Sequence, residues 1–178
     1  MKQGLGAAVD DFQLATINGE KTSLEAFLNS KKGVAVVFWS GICSHCVRYD
    51  QYLNTFAGQH PELGLLAVAS RQGETLDRIR ASVAQRKLTF PILHDRDGFI
   101  AAQWSVQQTP RVFLLDAGRN LLYRGAIDNY KYPEDPEYVA YLEPAISEFL
   151  AGSPLTRTET ASFGCAIKSV YYILPKAL

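Results

Sequence analysis

The run Gly33-Val34-Ala35-Val36-Val37-Phe38 carries no polar side chain and leads directly into Trp39-Ser40-Gly41-Ile42-Cys43-Ser44-His45-Cys46. A short apolar run rich in β-branched residues reads as a strand buried on both faces, the kind that sits at the centre of an α/β sheet. Beyond it the pattern turns helical, and two thiols sit three positions apart at that seam. On the first turn of a helix, Cys43 and Cys46 project from neighbouring positions on one face. Their sulfurs can then close a small ring or open into a dithiol with little backbone movement. A helix start also brings unpaired N–H groups and partial positive charge, which favour a thiolate. Strand, short loop and Cys-x-x-Cys opening a helix together imply a site for thiol–disulfide exchange.

The totals exclude several alternatives. A chain of 178 residues, 47% hydrophobic, is long enough for one domain with a full core. Its 18 basic and 18 acidic side chains leave no net charge to draw nucleic acid or an anionic membrane surface. No apolar run approaches the roughly 18 residues of a membrane span. One close cysteine pair plus a distant Cys165 is not the framework of a small disulfide-stapled protein. Met1 to Gly6 lacks the apolar stretch of a signal peptide. Read as a mature segment, the chain is expected in a periplasmic or otherwise extracytoplasmic compartment ahead of the cytoplasm.

Along the chain, Phe12 to Thr16 alternates, meets Asn18-Gly19 and resumes at Lys21-Thr22, a hairpin pattern. Thr22-Ser23-Leu24-Glu25 predicts a cap before a short helix over 24–29. A single helix is expected from Cys43 to about Gln59, stopped by His60-Pro61. Further strands are expected at Leu63–Ser70, Phe90–Leu93, Val112–Asp116 and Leu121–Arg124, with helices over 73–85 and 99–104 between them. Asp95-Arg96-Asp97-Gly98 echoes a calcium loop without the later ligands and reads as a turn. Glu137 to Leu150 reads as the last helix, with Pro144 a kink or early break. Ala151-Gly152-Ser153-Pro154 marks a boundary between a domain over 1–150 and a C-terminal tail over 151–178, whose Val170–Leu174 run is expected to pack on the body. Strands alternating with helices, then a hairpin, predict an α/β fold with a mixed central sheet flanked by helices.

Four stretches in this order resemble the thioredoxin superfamily, and within it the redoxin branch of alkyl hydroperoxide reductase/thiol-specific antioxidant-like and TlpA-like thiol–disulfide oxidoreductases. They are Val9–Leu14 with Asn18-Gly19 and Ser23-Leu24; Val37-Phe38-Trp39 through Cys46; Phe90–Leu93 with Asp95, Asp97-Gly98 and Trp104-Ser105-Val106; and Thr109-Pro110 entering Arg111–Asp116. The resemblance implies a thioredoxin-like fold with an N-terminal hairpin extension. It implies that Cys43 is the attacking thiolate at a solvent-facing helix start and that Cys46 resolves the mixed disulfide. Pro110, in the cis form, would lie against the sulfurs, and Thr109 would offer backbone hydrogen bonds to an extended protein substrate. Trp39 falls where family members carry an aromatic residue near the site, so the resemblance places it with Thr109 and Pro110 among the substrate-binding residues. There are departures. Thioredoxin has Trp before the first cysteine and Gly-Pro between the two, whereas this chain has Ile42 and Ser44-His45. Many TlpA-like proteins carry a glutamate soon after the second cysteine as a proton acceptor; here Tyr49-Asp50 stand nearby, and Asp50 reads either as its substitute or, more simply, as a solvated helix-face carboxylate. His45 resembles the pattern of oxidising disulfide catalysts and implies a pair more oxidising than thioredoxin.

Two other chemistries stay open for the pair. A peroxiredoxin-like peroxidase would use Cys43, with Ser40 three residues before it and Arg111 as an anion-binding group, although the proline expected upstream is replaced by Val36. A copper-binding or delivery module would grip a soft metal through Cys43 and Cys46, with His45 or Cys165 added. Cys165, in Gly164-Cys165-Ala166-Ile167-Lys168, has two readings. It is either an idle thiol or a third redox partner brought to Cys43 by a tail folded over the site. His60 and His94 receive no role, and Tyr130, Tyr132, Tyr138 and Tyr141 read as packing or as a partner surface. Exchange chemistry needs no organic cofactor, since the disulfide itself holds the reducing equivalents. The expected partners are protein thiols or disulfides and an electron donor or acceptor protein.

Overall fold

In the computed structural model, which describes residues 4–168, strand β3 (Gly33–Trp39) is buried at every residue, as its unbroken apolar run requires. It pairs in parallel with β4 (Leu63–Ala69) and antiparallel with β7 (Arg111–Asp116). Outward from β7 comes β8 (Leu121–Gly125), a hairpin partner. Outward from β4 come β5 (Ile92–His94) and the N-terminal hairpin of β1 (Gln13–Thr16) and β2 (Lys21–Ser23). The sheet order is β2-β1-β5-β4-β3-β7-β8, mixed in direction. Asn18-Gly19 turns the hairpin as its sequence predicts, with Gly19 at φ +90°. Val170–Leu174, expected to pack on the body, lies outside the described residues.

Alternation along β3 divides the core. Ala35, Val37 and Trp39 point to a face covered by Leu53 and Phe56 of α2 (Asp50–Gln59), Ile79 of α3 (Leu76–Arg86) and Ile146 of α5 (Leu142–Leu150). Val34, Val36 and Phe38 point to the other, covered by Phe12, Leu24, Leu28, Trp104 and Ile100 of α4 (Phe99–Gln103). Asp95 is the buried carboxylate of the expected turn. It accepts from Ser70 Oγ at 2.8 Å and from the Ile100 and Ala101 N–H groups at 3.3 and 3.1 Å, so it caps α4.

Two helix expectations need correction. The helix after Cys43 is split into α1 (Ser44–Val47) and α2, because the Tyr49 N–H bonds to the Cys46 carbonyl at 3.0 Å and breaks the α register. The last helix starts at Leu142, not at Glu137. Asp135 draws the Glu137 N–H to its carboxylate at 2.9 Å, and Val139 pairs with Asn129, which leaves 135–140 in a loop. Pro144 then falls in the first turn of α5, where its missing N–H breaks no helical bond. Past α5, residues 158–160 run beside β8, with Arg124 and Thr158 or Thr160 exchanging backbone bonds at 3.0 and 3.1 Å. The chain then crosses to form β9 (Cys165–Ala166) against β6 (Gln108–Thr109).

Candidate active site

The register between β3 and β7 sets the site. Phe38 stands opposite Arg111, so the turn after β3 emerges beside Thr109-Pro110. That prolyl bond is cis. Cys43 is the N-cap residue of α1 and Cys46 lies one turn along it. The Cys43 thiol donates to the Thr109 carbonyl at 3.3 Å, which ties the redox turn to the prolyl loop. Both cysteines are free thiols.

The two sulfurs have opposite acidities. A hydrogen bond from the Cys46 thiol holds Cys43 well below the ordinary thiol value; burial opposes this, and donors from Cys165 and Thr109 reinforce it. Burial pushes Cys46 well above the ordinary value, and the adjacent Cys43 sulfur adds to the rise. Helix α1 is a single turn with little macrodipole, so neighbouring donors replace the helix start as the source of the thiolate. The two shifts favour a thiolate at Cys43 and a retained proton at Cys46.

Access differs from expectation. Cys43 is 0% exposed, not solvent-facing. The cover is β9, whose Cys165 stands opposite Thr109. The Cys165 thiol and its backbone N–H both reach Cys43, and burial, followed by that neighbour, raises the pKa of Cys165 above the ordinary thiol value. Of the two readings of Cys165, the fold therefore brings this thiol to the pair. Trp39 is also corrected: it is fully buried beneath the turn, edge-on to Phe90 at 6.0 Å, and cannot touch a substrate. Its apolar ring extends the β3 face into the core, as strand alternation dictates.

Below the turn lies a polar layer. Asp50 is largely shielded rather than solvated; its carboxylate pairs with Arg86 Nε at 3.1 Å, and burial raises its pKa against the opposing pull of Arg86. The Arg86 guanidinium lies 5.4 Å from the Trp39 ring and donates to the Gly41 carbonyl at 3.1 Å. A Cβ on Gly41 would meet Ser82 Oγ at 2.6 Å and Glu74 Oε1 at 2.8 Å, so glycine lets the turn settle on these groups. None of Arg86, Glu74 and Ser82 carries a motif signal, because each is delivered from α3 or the loop before it. Ser40 is buried, and its carbonyl accepts the Cys43 N–H at 3.2 Å. Arg111 reaches Ser162 Oγ at 3.3 Å, a contact with the covering segment.

A cavity of about 550 Å³ opens beside Pro110 and includes His45, Arg48, Asp128 and Tyr130 in its wall. Asp128 accepts from the Tyr49 hydroxyl at 2.5 Å and the Tyr138 hydroxyl at 3.2 Å, and the Arg48 guanidinium stacks 4.0 Å over Tyr130. His45 is half-buried in that wall, and its backbone N–H faces Cys165. His60, the residue that caps the C-terminus of α2, is bound to Glu143 at 2.9 Å, away from the thiols. Among the described residues, no three His, Cys, Asp or Glu side chains are arranged to hold a metal ion. No helix among them is long and apolar enough to cross a membrane.

A model described as the AhpC/TSA family matches residues 5–124, from the N-terminal segment through β8. The chain belongs to that family. Among curated proteins, the thiol-disulfide oxidoreductase ResA of Bacillus thuringiensis subsp. konkukian is 30% identical over 115 residues, covering 65% of each chain. The chain thus spans less than two thirds of that relative's length. Among solved structures, the hypothetical protein SMc02350 of Sinorhizobium meliloti 1021 matches with TM-score 0.83 and 29% identity, over 96% of this chain and 97% of that one. A secreted Mycobacterium tuberculosis disulfide oxidoreductase matches with TM-score 0.57 and 19% identity, over 79% of this chain and 95% of its own. The fold is thioredoxin-like. The family match ends before the covering segment, whereas the likeness to the S. meliloti protein extends over nearly the whole chain.

Proposed function

We propose that this AhpC/TSA-family protein is a thiol–disulfide oxidoreductase that exchanges the Cys43–Cys46 dithiol or disulfide with protein thiols or disulfides. One observation carries the reading: Cys43 and Cys46 stand one helical turn apart beside the cis Thr109-Pro110 bond, with the Cys43 thiol on the Thr109 carbonyl at 3.3 Å, and the opposite directions of their pKa shifts agree with it. In the reducing direction, Cys43 attacks a substrate disulfide and releases one substrate thiol. Cys46 gives up its proton and attacks Cys43 Sγ, which releases the second thiol and leaves a Cys43–Cys46 disulfide. The thiolate preference of Cys43 stabilises the dithiol form, which favours a disulfide more oxidising than one between ordinary thiols. The pair itself stores the two electrons, so the reaction takes no organic cofactor. An extracytoplasmic, disulfide-permissive compartment suits a pair of this kind.

Turbidimetric insulin reduction with dithiothreitol as donor tests the proposal, run beside a hydrogen peroxide consumption assay. The expected result is insulin turnover that Cys43→Ser lowers by about 10³-fold or more. Peroxide consumption without insulin reduction would replace this reading with the peroxidase one.

A further inference from the structure

The edge at Thr109 that the proposed reaction presents to an extended substrate is already taken. β9 pairs with it antiparallel, in the register Thr109↔Cys165 and Gln108↔Ala166. Main-chain pairing at a strand edge is how an extended peptide docks on a sheet, and here the docked peptide is the chain's own. The fit is a built one. A Cβ on Gly164 would stand 1.7 Å from the Thr109 carbonyl oxygen, so only glycine permits the approach. On one flank Ser162 is buried and held by Gln108 and Arg111. On the other, the Ile167 N–H donates to the Gln107 carbonyl at 2.8 Å and the side chain is buried in the core cluster that includes Trp104 and Val106. Between these anchors Cys165 packs against the cluster that contains Cys43 and Cys46.

We infer that Cys165 is a third redox cysteine of this site, carried on an internal substrate strand, and that the disulfide passes between Cys43–Cys46 and Cys43–Cys165. The inference rests on the exchange reading of the Cys43–Cys46 pair. Starting from that disulfide, Cys165 loses its proton and its thiolate attacks Cys43 Sγ. The bond between the Cys43 and Cys46 sulfurs breaks as the bond between the Cys43 and Cys165 sulfurs forms. The electron pair of the broken bond goes to Cys46 Sγ, which takes up a proton equivalent to the one Cys165 released. No net oxidation occurs, because the substrate disulfide has already supplied the two-electron change. In the resulting state β9 is latched on Thr109. Cys165, half-buried where Cys43 is sealed, then presents the sulfur that a partner thiolate attacks, which frees Cys43 as the leaving thiolate.

Oxidised glutathione added to the full chain, followed by acid quench, alkylation and non-reducing peptide mapping, tests this. Trypsin leaves Cys43 and Cys46 together in peptide 33–48 and Cys165 in 158–168, so a cross-linked pair reports the new disulfide. Wild type should give both the disulfide within 33–48 and the cross-link, and Cys46→Ser should give the cross-link as its main product. Glutathione retained on Cys43 of Cys46→Ser, with Cys165 still a free thiol, would overturn the inference while the disulfide within 33–48 of wild type keeps the exchange reading standing. Absence of that disulfide and of insulin reduction would instead remove the exchange reading itself. Gly164→Ala keeps all three thiols and pushes the strand off Thr109. It should label reduced Cys43 with iodoacetamide about tenfold faster and yield less cross-link. Unchanged labelling and cross-linking in that variant would overturn the internal strand.

Discussion

The two faces of the sheet are closed by different means. Behind Val34, Val36 and Phe38 the core is aromatic and apolar: Phe38, Trp104 and Phe113 pack with centroids 4.9 to 5.7 Å apart, and Phe12 stands edge-on to Trp104 at 5.8 Å. Behind Ala35, Val37 and Trp39 the core gives way near its end to two thiols, the Asp50–Arg86 pair and a covering strand. Both faces bury apolar side chains, but the second also holds thiols and an ion pair largely out of water. The C-terminal segment joins them, since Ile167 is buried in the aromatic face while Cys165 packs on the thiol face.

The sharpest test of this division is Phe38→Ala. Removing a fully buried ring should cost about 3–5 kcal/mol in urea unfolding, yet leave the alkylation rate of Cys43 per folded molecule unchanged. A changed rate would mean the faces are not separable. Ile167→Ala should cost about 2–4 kcal/mol but couple them, raising iodoacetamide labelling of reduced Cys43 as the segment lifts. Stability lost without faster labelling would detach Ile167 from the cover. Asp50→Asn should cost about 1–2 kcal/mol, because the pair is largely but not wholly shielded and Arg86 keeps its bond to Gly41. Thermal melts of Asp50→Asn and Asp50→Ala measure it, and no loss in either would show the polar layer to be idle.

The pH dependence of stability gives the subtlest contrast. Folded Cys43 releases its proton well below the ordinary thiol value, so between those two limits the unfolded chain binds more protons and stability rises with pH. That contribution is complete above the ordinary value and lost as pH falls through the lowered one. Cys46 is shifted the other way, so above the ordinary value the fold retains a proton the unfolded chain has lost, and stability declines. The urea midpoint of the reduced protein should climb into the neutral range and turn over when alkaline. Cys43→Ser should flatten the climb relative to wild type; identical profiles would erase the asymmetry between the sulfurs.

What the residues themselves determined was local. The β3 run, the Asn18-Gly19 hairpin, the paired cysteines at a strand–helix seam and the Thr109-Pro110 entry to β7 were all legible, because side-chain period and turn chemistry act over a few neighbours. The break at Tyr49 and the late start of α5 were not, since both follow from hydrogen bonds that compete with helix propensity. Tertiary structure alone decided that Trp39 lies under the site, that Asp50 meets Arg86, and that Cys165 comes to rest opposite Thr109. Those contacts join segments far apart in the chain, where no periodicity marks the partner and only the closing of the sheet selects it. Thus the pairing of the thiols is local, whereas their acidity and the access to them depend also on Thr109 and on where the last described segment docks.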